Sequence, residues 1–170
     1  MDLITKIESG ESILNKNKFD IINLTENVFE MLEFTAKKKK IKLTVNKDKG
    51  LLTKVVADKE KIEQVLTNLI DNSIKYGKDY GTTEIVIQSL NEDKIIVRVT
   101  DNGVGFKKEN YTRIFERFFR VDRSGSRSAG GSGLGLAIVK HIIDAHDEKI
   151  YVESEFGVGS EFSFTLEKSK

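Results

Sequence analysis

Apolar residues recur at helical or strand spacing along most of the chain, and the gaps in that pattern are as informative as the runs. Leu3, Ile4, Ile7, Ile13 and Leu14 read as the end of a helix, broken at Ser9-Gly10 and followed by a linker. Asn23 with Glu26 has capping-box spacing, and Leu24, Val28, Met31, Leu32 and Thr35 then follow helical spacing. Ile41, Leu43 and Val45 alternate as in a half-buried strand, and Leu52 to Ala57 reads as a second one. Asp58 is placed to cap a helix running to about Tyr76, with Ile62, Val65, Leu66, Leu69, Ile70 and Ile74 on one broad face. Glu84 to Leu90 and Lys94 to Thr100 are β-rich runs joined by polar Asn91-Glu92-Asp93, a predicted hairpin.

From Gly103 to Gly135 the pattern loosens. Tyr111 to Phe119 predicts a short helical piece, and Arg123 to Gly133 is nearly free of apolar residues. Loops this long within a compact domain are usually lids or unstructured, so the stretch predicts a lid that is mobile when empty. Leu134 to about His146 predicts an apolar helix. Lys149 to Ser154 and Ser160 to Leu166 predict closing strands turned by Glu155 to Gly159. Three main helices and about six strands, mostly in hairpins, predict helices covering one face of a mixed sheet.

Composition narrows the classes. The chain has 170 residues, room for one domain or one domain with a short appendage. A net charge of +1 gives no global field that would favour nucleic acid or an anionic membrane. The Lys37-Lys38-Lys39-Lys40 run reads as a solvated helix end. The chain lacks cysteine, which removes disulfides and thiolate metal sites, and two histidines make a histidine-rich metal site a poor expectation. No apolar run approaches the roughly 20 residues that span a bilayer, and Met1-Asp2-Leu3 does not open a signal peptide. A soluble cytoplasmic piece is expected, cut from a longer parent anchored in the membrane.

Four separated segments carry candidate chemistry. On the helix after Asp58, Asn68, Asn72 and Lys75 lie at i, i+4 and i+7, a face adjoining the apolar one. Two amide oxygens suit a hard cation such as Mg²⁺, although two polar surface residues would look the same. Asp101-Asn102-Gly103-Val104-Gly105-Phe106 follows a strand. Asp-Asn-Gly is a good turn, and Asp101 is equally a carboxylate able to accept from an adenine amino group. Gly131-Ser132-Gly133-Leu134-Gly135-Leu136 leads into a helix, where backbone N–H groups can cradle phosphate. It matches neither a Walker loop nor a dinucleotide fingerprint. Gly157-Val158-Gly159-Ser160 closes the series.

Together these segments resemble the catalytic ATP-binding domain of bacterial sensor histidine kinases, in the gyrase, Hsp90, histidine kinase and MutL superfamily. Asn68 to Tyr76 resembles the N box, Asp101 to Phe106 and the lid glycines resemble the main glycine boxes, and Ile114 to Asp122 resembles the F box. Gly157 to Ser160 resembles the closing glycine box. The likeness runs from about residue 18 to the end. Residues 1–17 resemble the tail of the preceding dimerisation domain, and the lid would span about 106–133.

The resemblance implies a two-layer α/β sandwich holding ATP between a long helix and the lid. It implies Mg²⁺ on Asn72, assisted by Asn68, phosphate on Lys75, and Tyr76 beside the nucleotide. Asp101 would read adenine, with Gly103, Gly105 and Phe106 near it and Ser160 from the closing box. Gly131, Gly133 and Gly135 would shape the lid around the phosphates, with Leu134 and Leu136 also contacting the nucleotide. Either Arg117 or Arg120 would stabilise charge on the γ-phosphoryl. Phe115, Phe118 and Phe119 are expected to anchor the lid. Superfamily members that hydrolyse ATP carry a glutamate where Asn68 stands, and an amide cannot be a general base. Transfer to a protein acceptor therefore fits better than hydrolysis.

The chain departs from the family in two places. It has no proline, so the acceptor motif is missing, and His141 and His146 are expected to be structural. Asp147-Glu148 replaces a glycine pair common in relatives. The expected function is transfer of the ATP γ-phosphoryl to a histidine on a separate dimerisation domain, with a response regulator downstream and the isolated domain a monomer. An ATP-gated interaction module and an anti-sigma-type serine kinase are the alternatives.

Overall fold

A computed structural model of the chain describes residues 13–116 and 135–170. In chain order the elements are β1 (Asn17–Asp20), α1 (Ile21–Lys38), β2 (Lys42–Lys47), β3 (Lys54–Ala57), α2 (Lys59–Lys75), β4 (Thr82–Ser89) and β5 (Lys94–Asp101). A 3₁₀ turn (Lys108–Asn110), α3 (Gly135–Ala145), β6 (Ile150–Glu155) and β7 (Gly159–Lys168) complete them. The strands form one seven-stranded sheet in the order β1-β3-β7-β5-β4-β2, with β6 also on β7. Among the described residues only β2 and β4 pair in parallel. The fold is the expected two-layer α/β sandwich with a mixed, mostly antiparallel sheet. Among the described residues no helix is long and apolar enough to cross a membrane.

Strand register builds the core. Ile85 pairs with Val99 and Val99 with Phe162, while Ile87 pairs with Val97 and Val97 with Phe164. Side chains alternate across a strand, so these rows share one face, and all are buried. They pack in one cluster with Leu24 and Val28 of α1, Ile62, Val65, Leu66, Leu69, Ile70 and Ile74 of α2, and Val139, Ile142 and Ile143 of α3. Truncating one such side chain, Ile70 for example, costs about 2–5 kcal/mol. The other face of the sheet is polar. There Arg98 Nε donates to Gln88 Oε1 at 2.7 Å and Thr100 Oγ1 to Glu161 Oε1 at 2.9 Å.

Two boundaries differ from the sequence reading. The cap of α1 is Asp20, whose carboxylate accepts from Ile22 N at 2.8 Å, and Asn23 lies inside the helix. The helix starts earlier because Ile21 is fully buried and Asp20 is held by β1, paired with Lys54 of β3. The short β1 had no apolar alternation to announce it, with Phe19 its one apolar residue. In contrast, α2 is as expected: Asp58 caps it, accepting from Lys61 N, and Tyr76 ends it. Tyr111 to Phe115 is a run of turns after the 3₁₀ turn rather than a helix, and Phe118 and Phe119 lie outside the described residues.

His146 joins α3 to the start of α2. Its Nε2 accepts from Asp58 N at 3.0 Å, and its Nδ1 donates to Ile142 O at 2.9 Å. That pattern requires the neutral ring, and burial lowers its pKa below the ordinary 6.5. Glu148 is buried. It accepts from Lys94 Nζ and from Thr165 Oγ1, both at 2.6 Å, and so ties the end of α3 to the sheet.

Candidate functional site

Strand parity decides where Asp101 goes. Thr83 pairs with Asp101 and Asp101 with Ser160, continuing the rows that face the helices. Asp101 therefore leaves the end of β5 on the helix side. Its Oδ1 accepts from Gly103 N at 2.9 Å. The Ser160 backbone N–H and the Ser73 hydroxyl of α2 also donate to the carboxylate. Burial raises the Asp101 pKa above the ordinary 3.8, while those three hydrogen bonds pull it down. The Ser73 hydroxyl lies 2.7 Å from Thr83 Oγ1 as well, so a small polar cluster sits inside the seam between α2 and the sheet.

The glycines after Asp101 let protein segments meet. A Cβ on Gly103 would stand 2.2 Å from Tyr76 O, and one on Gly105 would stand 2.2 Å from Glu155 O. A Cβ on Gly159 would stand 2.1 Å from Asp101 O. Gly105 also has φ +63, a conformation open to glycine at little strain. The close approach expected of Gly103 and Gly105 is thus made to the chain's own backbone. It brings the end of α2, the loop after β5 and the β6–β7 turn into one junction.

Ser154 organises the far side of that junction. Its Oγ accepts from Phe106 N at 2.8 Å, donates to Gly159 O at 2.9 Å and lies 2.8 Å from Ser160 Oγ. The Tyr111 hydroxyl bonds both N and O of Ser154. Phe106 packs edge-on to Tyr111 at 5.6 Å and against Phe162 at 6.3 Å, and Phe115 packs edge-on to Phe162 at 6.1 Å. Phe106 and Phe115 thus act in packing, against Phe162. Ser73, Thr83, Ser154 and Tyr111 were not legible as site residues, because their partners are distant in sequence.

On α2, Asn68, Asn72, Lys75 and Tyr76 are all half-buried. Asn68 Nδ2 donates to Gly135 O at 3.2 Å, which places the first turn of α3 against this face and leaves Oδ1 as an acceptor. Among the described residues the Asn72 amide has no hydrogen-bond partner. Lys75 Nζ is 2.9 Å from Asp71 Oδ2, one turn back. Among the described residues a Cβ on Gly135 would meet only Asn68 Cγ, at 4.0 Å, and Leu136 packs against the core. Arg117, Arg120, Gly131, Gly133 and Leu134 lie outside the described residues, as does most of the expected lid. Amide oxygens of Asn68 and Asn72 suit a hard cation, and the half-buried Asp101 suits a ligand N–H donor. The residues present therefore fit a nucleotide with Mg²⁺.

The class this geometry defines is a two-layer α/β sandwich with a polar site at the helix–sheet seam. The family model described as histidine kinase-, DNA gyrase B-, and HSP90-like ATPase matches residues 57–170. Sensor histidine kinase WalK of Bacillus subtilis is 33% identical over 165 residues, which cover 96% of this chain and 26% of WalK. The nucleotide-free catalytic domain of histidine kinase ThkA aligns with a TM-score of 0.77 at 29% identity, covering 92% of this chain and 99% of that one. Full-length ShkA in complex with AMPPNP aligns with a TM-score of 0.85 at 27% identity, covering 98% of this chain and 34% of ShkA. The chain belongs to the histidine kinase-, DNA gyrase B- and HSP90-like ATPase family, and it is a catalytic domain of the histidine kinase kind. It spans about a quarter of the length of WalK.

Proposed function

We propose that this domain binds ATP with Mg²⁺ and passes the γ-phosphoryl to a histidine on a helical dimerisation domain outside residues 18–170. The observation that carries the reading is Asp101: a carboxylate desolvated at the helix–sheet seam, beside Ser73 of α2. A ligand N–H, such as the adenine amino group, would give it a further donor and favour its charged form. Asn72, with Asn68 Oδ1, holds Mg²⁺, which neutralises phosphate charge. Lys75 reaches phosphate by exchanging Asp71 for it, and Tyr76 flanks the nucleotide. By likeness to the family, the glycines Gly131, Gly133 and Gly135 would lie toward the phosphates, and Arg117 or Arg120 would stabilise charge on the γ-phosphoryl.

In the transfer, the bond from γ-phosphorus to the β,γ-bridging oxygen breaks and a P–N bond to the imidazole forms. ADP leaves, and the imidazole proton goes to a base on the acceptor domain. This chain supplies position and charge stabilisation, which dominate phosphoryl transfer. Asn68 in place of a carboxylate withholds a base from water and so favours transfer over hydrolysis. AMPPNP is the nucleotide in the ShkA complex, and a separate ThkA structure contains the response regulator TrrA. By likeness, a response regulator is the downstream partner here.

The test is calorimetric titration with Mg²⁺-AMPPNP of the wild type and of Asp101→Asn. Phosphotransfer from ATP to a separately supplied dimerisation domain bearing the acceptor histidine follows. Saturable binding lost in the variant, then phosphohistidine on the acceptor, supports the reading. A folded wild type that binds no nucleotide refutes it.

A further inference from the structure

The four consecutive lysines at the end of α1 do not act alike. Lys37 pairs with Glu33 at 3.1 Å, Lys38 lies over the Phe34 ring at 4.8 Å, and Lys40 donates to the Tyr80 hydroxyl at 2.8 Å. Those three are surface contacts, as a solvated helix end predicts. Lys39, the residue that ends α1, turns inward instead. Its Nζ lies 3.1 Å from Ile74 O, 2.6 Å from Lys75 O and 3.3 Å from Gly77 O.

An ammonium has three donors and no acceptor, and here each donor meets a carbonyl at the C-terminus of α2. Helix ends leave such carbonyls without intrahelical partners, and the helix dipole places negative potential there. Lys39 answers both with one charged group. The backbone adds to the tie, since Tyr80 N donates to Lys39 O at 2.9 Å.

The consequence reaches Asp101 through Tyr76, which lies between the bonded carbonyls. Tyr76 O accepts from Val104 N at 3.1 Å and lies against Gly103 so closely that only glycine fits. Gly103 N is in turn the donor that holds Asp101 Oδ1 at 2.9 Å. The path from Lys39 to Asp101 is therefore three hydrogen-bonded steps with one close backbone contact.

We propose that Lys39 is a positioning residue of the nucleotide site: its ammonium fixes the end of α2, and through Tyr76 and Gly103 it sets where the Asp101 carboxylate stands. The proposal rests on the reading of Asp101 as a nucleotide contact. Small displacements of a contact group are costly when they originate in the shell that supports it.

The test compares Lys39→Met and Lys39→Arg with wild type by Mg²⁺-AMPPNP titration, thermal midpoint, and amide NMR of the nucleotide-free protein. Lys94→Met, which breaks the remote pair with Glu148, is the control for general destabilisation. Lys39→Met should weaken binding about tenfold or more and shift the Gly103 and Val104 amides. Lys39→Arg, retaining charge and donors, should restore most of the affinity. Lys94→Met should lower the thermal midpoint and leave affinity alone. Wild-type affinity and unshifted amides in Lys39→Met would overturn the proposal. So would affinity losses in Lys39→Met and Lys94→Met that simply track their midpoints. If Asp101→Asn binds like wild type, the Asp101 reading fails by itself, and the amide shifts still decide whether Lys39 governs Gly103. If Lys39→Met does not fold, Lys39→Gln, which keeps two donors, takes its place in the same titration.

Discussion

Gly103→Ala is the sharpest probe of the junction on which the site depends. The added Cβ would stand 2.2 Å from Tyr76 O, 2.8 Å from Gly77 Cα and 2.9 Å from Tyr76 C, all backbone atoms that no side-chain rotation can clear. Ordinary contact begins at 3.4 Å, so the end of α2 and the loop after β5 must separate by about 1.2 Å. Added to the 3.1 Å between Val104 N and Tyr76 O, that takes the hydrogen bond beyond its working range. Losing it and leaving its partners unsatisfied costs about 1–3 kcal/mol, and residual overpacking costs about 1–3 kcal/mol. A total loss of about 2–6 kcal/mol is expected. Urea titration reads it as a lower midpoint at unchanged slope, and nucleotide titration of the folded fraction should show weakened binding. A variant within about 0.5 kcal/mol of wild type, with wild-type affinity, would refute the junction as described.

Other expectations follow from the same geometry. Asp101→Asn keeps an acceptor for Gly103 N and removes a charge that burial disfavours. Because the folded pKa of Asp101 is raised, its penalty is absent below 3.8 and develops as pH rises through the folded value. The variant should therefore unfold no earlier than wild type near neutral pH while losing about 10²-fold or more in nucleotide affinity. His146 has a lowered folded pKa, so its contribution to stability is complete above 6.5 and is lost as pH falls below that value. Thermal midpoints measured from about pH 7.5 to 5.5 should fall in wild type and flatten in His146→Gln, which does not titrate. Ser154→Ala removes the acceptor of Phe106 N, and chemical unfolding should show a loss of about 1–3 kcal/mol. Among the described residues a Cβ at Gly135 would make only an ordinary contact with Asn68 Cγ on a helix, so calorimetry of Gly135→Ala should show stability unchanged or raised by up to about 1 kcal/mol.

The legible parts were those whose signal is local. The face of α2, its Asp58 cap and the β4–β5 hairpin are spelled by neighbouring residues, and the structure keeps them. Asp101 was legible as a strand-end carboxylate, and parity alone then turned it toward the helices. What escaped depends on partners far along the chain. β1 is a strand because β3 pairs with it, and Asp20 is a cap because that pairing fixes it in place. Lys39 is indistinguishable from its neighbours in a run of four lysines until the end of α2, more than thirty residues on, comes within reach of its ammonium. Gly103 and Gly105 signalled close approach correctly, but residue type does not say whether the approaching group is a ligand or another stretch of backbone.

The position of β7 has a consequence for how the domain comes to be folded. It is the final strand in chain order, yet it pairs with β5 along one edge and with β6 and β3 along the other. Until it is in place, β5 has only β4 beside it, and β3 has only β1. Two half-sheets with unpaired edges and exposed apolar rows must wait for it, a state that invites association with other chains. Sequence-distant pairing of this kind also slows folding. During synthesis the sheet can close only after Phe162, Phe164 and Leu166 have left the ribosome, and the Gly159–Asp101 contact arrives in the same event. The strand that completes the core thus also completes the junction around Asp101, so a nascent chain has no finished candidate site before it has a finished fold.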